Sequence, residues 1–413
     1  MQDSTETRPS APAAATAHNA FDHRLLAIVC AHALVCQIIY AMLRVTITYR
    51  AVELGLEAKW VGIIAGASAV LPMLLAVSTG RFVDRGNDAL AARIGAAVVL
   101  FCCLGYRHFN NFASELLFFT AFLGVGHMLL MVSHQLLCVR VSANDESRET
   151  ALGHYMVATA LGQGLGPLMV GWLGGVQRIP PTRFLFGIAV VLGIVAVLMA
   201  YLIRQPEQSK QASVAKAGVV PVPQLLRTRG VPTLMLASII TVTAQDLIII
   251  YLPLLGAERG IAVADVGALL MVRSACSVIS RVFYPLMMRA AGRVPLTVGT
   301  MLVGAAAMVL LALPMPLVVM YAAMVAIGFG VGIAATLSIS NMVDIVPPDA
   351  RGVALSLRIT GNRVGQVSIP VLAGMVAAVT GAGGIFGIVA LSLAASAAFM
   401  PNGAAMPRHA PTE

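Results

Sequence analysis

Long apolar runs alternate with short polar breaks along nearly the whole chain. The runs fall at about 25–47, 60–80, 89–106, 115–138, 151–176, 183–203, 231–255, 264–288, 294–313, 317–341, 351–379 and 383–400. As helix, about 20 residues at ~1.5 Å each cross a ~30 Å hydrocarbon layer. None of the runs alternates apolar and polar residues as a half-buried strand does, and in lipid only helices or closed barrels satisfy every backbone group. The pattern therefore predicts twelve transmembrane helices. They divide into bundles of six, 25–203 and 231–400, around a polar, basic, proline-bearing stretch at 204–230 that reads as a flexible linker. Residues 1–24, rich in Ala, Pro and Thr, read as a disordered tail, and 401–413 as a second short tail. The run behind the first tail is too long for a signal-peptide core, so it reads as an uncleaved first span.

The two bundles share a pattern. Shifted by 203 positions, Arg148–Gly171 (RETALGHYMVATALGQGLGPLMVG) lies on Arg351–Gly374 (RGVALSLRITGNRVGQVSIPVLAG). Arg148 meets Arg351, Gly162 meets Gly365, Gln163 meets Gln366, Pro167 meets Pro370 and Gly171 meets Gly374. A loop arginine, a Gly-Gln pair and a helix-interior proline recurring in one order mark two homologous, pseudo-symmetric halves.

Composition agrees with a membrane chain: 59% hydrophobic residues, 11% charged and a mean hydropathy of +0.88, where a soluble domain carries about 25% charged residues. The net charge of +9 does not call for a nucleic-acid partner. Of the 27 basic residues, sixteen fall in segments on the side of the amino terminus and six on the other, so the excess places both termini in the cytoplasm. The six cysteines lie inside apolar runs with no metal-ligand spacing, so no metal site is expected. No Walker loop and no catalytic constellation on a soluble domain appears; neither ATP drive, enzymatic activity nor a cofactor is expected.

Between the second and third spans, Gly80-Arg-Phe-Val-Asp84-Arg85-Gly86 resembles the signature loop of the major facilitator superfamily, although Asp88 and Ala89 stand where the family is basic. In the fifth span Gly153, Gly162, Gly166, Pro167 and Gly171 are similar to the glycine-proline motif of the family's proton-exchanging exporters. The resemblance covers the whole chain. It implies an all-α membrane protein of the MFS fold, with the first, fourth, seventh and tenth spans around a central cavity. The second, fifth, eighth and eleventh spans would form the contact between halves, and the rest would face lipid. Small residues four apart let helices approach closely, and a proline bends its helix. The Gly162–Pro167 region is thus expected to be a moving contact between halves; ordinary tight packing is the competing reading.

Ionisable groups at membrane depth cost ~3 kcal/mol each on insertion scales and should face a cavity or a partner. Asp246, mid-way along the seventh span beside Gln245, is the first candidate for proton coupling; the alternative is a structural ion pair with Arg273 or another arginine. His127 and His134, seven apart and so on one face of the fourth span, are further proton candidates, against the commoner outcome of buried neutral histidines. Arg273, Arg358 and Arg363 leave a surplus of positive charge over Asp246, which favours an anionic substrate. Arg44 and Arg281 are read as snorkelling toward headgroups near the ends of their spans. Tyr40, Gln245, Tyr251 and Asn341 complete the candidate pathway.

The expectation is a monomeric inner-membrane secondary transporter that exports a small organic molecule in exchange for protons. Anionic or siderophore-like metabolites and toxic amphiphiles are the leading substrates. Import of an organic acid is the first alternative, and a non-transporting sensor or scaffold on the same fold the second.

Overall fold

A computed structural model describes residues 22–142, 145–205, 222–228, 230–346 and 351–403. Among them there are helices and no strands. The first half holds α1 (His23–Glu53), α2 (Ala58–Asp84), α3 (Asp88–His108), α4 (Ala113–Arg140), α5 (Asp145–Gly174) and α6 (Thr182–Leu202). A short α7 (Val222–Arg227) precedes α8 (Val231–Arg259), α9 (Val263–Ala291), α10 (Arg293–Ala312), α11 (Leu317–Ile345) and α12 (Arg351–Gly403). Eleven of these helices are long and apolar enough to cross a membrane. This is a multi-pass membrane protein.

The eleventh and twelfth predicted spans form one continuous helix. Within α12 only Gly381 leaves helical geometry, at φ 71 and ψ 176, and there the chain turns back. A residue with a side chain would be strained at that φ. Both carboxylate oxygens of Glu258 accept from Ala382 N, at 3.2 and 3.0 Å, and so satisfy a donor that the kink frees. Two arms of α12 thus serve as two spans. Two further boundaries shift: α1 begins at His23, with Asp22 Oδ1 accepting from Leu25 N at 2.9 Å as its cap, and part of the expected linker is the helix α7. Leu225 of α7 is buried against Val231, Leu234 and Met342.

The end of α1 that carries Asp22 lies on what we call the terminal face, with the α2–α3 and α4–α5 connections. The α1–α2, α5–α6 and α8–α9 connections lie on the opposite face. Each half packs its small residues in the same way. A Cβ at Gly162 or Gly166 would come within 2.8 Å or less of the α1 backbone, at Leu34 O and Ile38 O. One at Gly365 would meet Ile239 Cγ2 of α8 at 2.6 Å. These glycines seat α5 and α12 against the first helix of their own half. This corrects the expectation for Gly162 and Gly166, which join α5 to its own bundle. Further along, α5 and α12 cross to the other half. A Cβ at Gly171 would be 3.1 Å from Ala264 O, one at Gly374 3.0 Å from Lys59 O, and one at Gly267 2.5 Å from Pro167 O. Gly62 meets the Pro370 carbonyl in the mirrored place. The close contacts of α5 and α12 with the other half thus lie at Pro167, Gly171, Pro370 and Gly374.

These close approaches between halves all lie toward the opposite face. Two backbone bonds reinforce them, Val263 N to Gln177 O at 2.9 Å and Ala264 N to Gly175 O at 3.0 Å. Toward the terminal face, a Cβ at Gly80 or Gly153 would meet nothing within 4 Å, so neither motif glycine makes a close contact in this state. Val157 of α5, Val282 and Phe283 of α9, and Leu74 and Val77 of α2 are exposed there. The halves are closed at the opposite face and parted at the terminal face.

The α2–α3 loop bearing the signature sits on a buried ionic cluster. Asp88, fully buried at the start of α3, is ion-paired with Arg140 of α4 and accepts from Gln205 Nε2 at 2.8 Å. Ser133 Oγ donates to the Asp88 carbonyl at 2.7 Å. The residue that departs from the family's basic pattern is therefore the one that ties α3 to α4. Gly86, at φ 87, makes the turn, and Arg85 is exposed. The side chains of Asp84 and Arg351 lie outside the described residues.

Candidate functional site

Halfway across the bundle, at the closed end of the opening, lies a cavity of about 310 Å³. Gln37, Tyr40 and Arg44 of α1, Ser68 of α2, His127 of α4 and Gln163 of α5 form its first-half wall. The second half supplies Gln245 and Asp246 of α8, Arg273 of α9, and Asn362, Arg363, Gln366 and Pro370 of α12. Helices α3, α6 and α10 and the second arm of α12 contribute nothing to this wall, and neither does α11, the expected tenth-span liner.

Asp246 organises the cavity. Arg44 Nη1 donates to its Oδ1 at 2.7 Å, an ion pair between the two halves. Gln366 Nε2 donates to Oδ2 at 2.8 Å, and Arg363 Nη1 donates to Gln366 Oε1 at 3.1 Å. Both carboxylate oxygens are thus engaged, one by each half. One reading of the sequence is corrected here: Arg44 does not snorkel toward headgroups. Of the arginines that could pair with Asp246, the one that does is Arg44. Gln366, singled out in the sequence as part of the repeated Gly-Gln pair, belongs to the polar network itself.

Arg273 is 3% exposed, and its Nη2 donates to Ser274 Oγ at 3.3 Å. Its Nε has no hydrogen-bond partner, and no carboxylate stands within ion-pair distance of it among the described residues. Arg44, Arg273 and Arg363 against Asp246 leave the cavity two positive charges in excess. The guanidinium group has the geometry for bidentate pairing with carboxylate or phosphate.

Aromatic packing forms the first-half wall. The Tyr40 and His127 rings stack at 3.7 Å with 2° between planes, and Arg44 Cζ lies 5.7 Å from the Tyr40 centroid. His127 Nε2 is 3.3 Å from Gln37 Oε1, which settles the ring's edge on a neighbour in α1.

Four other candidates lie outside the cavity. His134 packs inside the first bundle, its Nε2 2.8 Å from His32 Nδ1. Seven residues of helix, about 10 Å, carry it away from His127 along α4. Tyr251 is fully buried and donates to the Pro370 carbonyl at 3.0 Å, where α8, α12 and Gly62 of α2 converge. Arg358 Nη1 reaches Ser238 Oγ at 3.4 Å and Ser338 Oγ at 3.2 Å, joining α8, α11 and α12. Asn341 donates to Thr297 Oγ1 at 3.3 Å, between α11 and α10. One sequence cannot show which side of a helix points inward, and these four point into packing. Gln37, Arg44, Gln163 and Asn362 were missed as site residues for the same reason. A signal for two of them existed: Gln163 and Gln366 are the repeated pair, and Arg44 stands 202 residues from Asp246, nearly the repeat distance.

Among the described residues no group of three His, Cys, Asp or Glu side chains could hold a metal ion. The major facilitator superfamily model matches residues 29–254 and 234–412. This chain belongs to the major facilitator superfamily. Similarity to solved transporters of this fold extends over nearly the whole superfamily chain. The nucleoside transporter NupG matches with a TM-score of 0.76 at 13% identity, covering 91% of this chain and 98% of that one. The xylose transporter XylE from E. coli, in an inward open conformation, matches at 0.74 and 13%, covering 94% and 97%. A bacterial homolog of the human lysosomal transporter Spinster, inward-facing and occupied, matches at 0.70 and 15%, covering 93% and 95%. At such identities the likeness shows the fold alone. No curated protein matches the chain. As a superfamily member the protein is a membrane transporter of a small molecule.

Proposed function

We propose that the protein couples the movement of a small organic anion to that of a proton, in the same direction, across the inner membrane. The terminal face would be cytoplasmic, as the excess of basic residues there supports. The parted state is then inward-facing, and the two halves rock about the cavity.

One observation carries this reading: Asp246 and any anion in the cavity need the same cation. With Asp246 ionised, Arg44 and Gln366 saturate its two oxygens. An anion entering the cavity meets Arg273 and Arg363 first. Once it takes Arg44 as well, Asp246 is left as a buried charge without its counter-ion, a state that costs several kcal/mol. A proton on Asp246 removes that cost. Anion and proton therefore favour each other's binding, and by linkage the effect is reciprocal. Loading both makes the cargo neutral and dissolves the ion pair that links α1 to α8, which frees the halves to move.

Such coupling is co-transport, and its natural direction under an inward proton gradient is import of an organic acid. One structural neighbour, a D-xylose-proton symporter with a TM-score of 0.74, is in keeping with proton co-transport on this fold. The exporter reading keeps one observation in its favour, the glycine-proline pattern of α5. Its weight falls because Gly162 and Gly166 hold α5 to its own bundle. Exchange would also require proton and substrate to exclude each other, as a cation competing directly for Asp246 would.

The deciding measurement uses liposomes containing the full chain and an external panel of carboxylates, phosphonates and cationic dyes. An anion whose entry draws external protons in with it, in wild type and not in Asp246→Asn, supports co-transport. Protons moving opposite to the substrate would overturn it and restore exchange.

A further inference from the structure

A second cavity, of about 270 Å³, lies on the terminal face where the start of α1 meets the end of α6. Its wall combines Arg24, Arg204 and Asp22 with Leu25, Ile28, Tyr201 and Leu202. It is far from the transport site and shares no residue with it.

Charge there is one-sided. Arg93 of α3 joins the two lining arginines, its Cζ 5.3 Å from the centroid of the Tyr201 ring. Its Nη2 donates to the Ile203 carbonyl at 3.3 Å, which covers the end of α6, and its Nε is buried with no partner. Asp22, the single carboxylate of the cavity wall among the described residues, is already engaged as the cap of α1. Among the described residues the three arginines thus outnumber that carboxylate by two, and Arg24 and Arg204 are exposed. Arginines are suited to a phosphate at a membrane interface, and tyrosine belongs at headgroup level.

Below the arginines the surface turns apolar. Val191, Ile194, Val195, Leu198 and Leu202 of α6 are all exposed large side chains. From Val191 to Leu202 the helix rises about 16 Å, close to half of a ~30 Å hydrocarbon layer. A basic head above an apolar strip one leaflet deep has the layout of a phospholipid.

We propose that this corner binds an anionic phospholipid, with the headgroup phosphate between Arg24 and Arg204 and the acyl chains along α6. Arg93 is a positioning residue that holds Tyr201 and the end of α6 in place. The site ties the first and sixth spans, and so the first bundle, to the lipid leaflet at the terminal face.

The test compares lipids on the full chain purified in detergent. Phosphatidylglycerol and phosphatidylcholine of equal chain length are titrated in turn, with bound lipid counted by native mass spectrometry and thermal unfolding followed in parallel. Retention of phosphatidylglycerol well above phosphatidylcholine is expected in wild type. Each neutralised arginine should cost roughly fivefold in affinity, so Arg24→Gln/Arg204→Gln should lose most of the preference while Arg289→Gln, on α9, keeps it. Equal retention of the two lipids would overturn the proposal even if the double variant failed to fold. So would a double variant that folds and keeps the preference. Inorganic phosphate at matched concentration that displaces the lipid and stabilises equally would reduce the site to an anion site. None of these readouts depends on transport.

Discussion

Helix α5 and the first arm of α12 carry the same pattern 203 residues apart, pack in the same way and line the cavity with different chemistry. In both, an early glycine seats the helix on the first helix of its own half and a later one seats it on the other half. In both, a glutamine faces the cavity. Gln366 binds Asp246 and Arg363, whereas Gln163 makes no hydrogen bond among the described residues. Ala160 stands on α5 where the repeat would place the partner of Arg363. Close backbone approach needs only small side chains, so it can be duplicated without penalty. An ion pair across a two-fold cannot be: two identical positions would bring like charges together. Arg44 and Asp246, nearly equivalent by the repeat, bear opposite charges, and the cavity's one carboxylate belongs to one half alone.

If the frame is symmetric and the chemistry is not, perturbations of the two should separate, and the ion pair should show the largest effect. Arg44→Met leaves the half-buried Asp246 without its counter-ion, with an expected loss of about 3 kcal/mol. Arg44→Met/Asp246→Leu should recover most of that stability in chemical denaturation yet carry no coupled flux. A double variant that transports normally would show the pair to be structural.

Arg273 and Arg358 come next. Arg273→Ala should weaken binding of a transported anion by about 1.5–3 kcal/mol, roughly ten- to hundredfold. Arg358→Ala should leave affinity unchanged in titration calorimetry. Equal effects at the two would mean that the surplus charge acts through the whole bundle rather than through the cavity.

The glycines test the frame itself. Gly166→Leu forces α5 away from α1 and should cost about 1–3 kcal/mol of stability. Gly171→Leu should instead part the opposite face, raising labelling of cavity residues from that side with smaller change in unfolding. The mirrored pair, Gly365→Leu and Gly374→Leu, should divide in the same manner; failure of the mirror would limit the symmetry to the sequence.

The smallest effect is expected at the pair buried inside one bundle. His134→Gln removes one partner of His32 and should cost about 1 kcal/mol of stability with unchanged anion affinity. His127→Gln, which loses the stack on Tyr40 in the cavity, should change affinity. The reverse outcome in binding assays would move the proton candidates back to His134.

Much of the fold was legible in the chain before any helix was placed. Apolar runs long enough for a bilayer, the repeat at 203 residues and the count of basic residues depend on what is next to what along the chain, and they fix twelve spans in two halves. The depth of Asp246 was legible for the same reason, since depth is distance along a helix. Rotation about each helix axis was not. Whether Arg44 reaches a headgroup or Asp246, and whether Gly166 meets α1 or α9, turns on an angle that a lone apolar helix leaves open, because lipid and protein neighbours are equally apolar. Only packing between helices settles that angle. It sent Tyr251, Arg358, Asn341 and His134 into the bundles and brought Arg44, Gln366, Gln37 and Gln163 to the cavity.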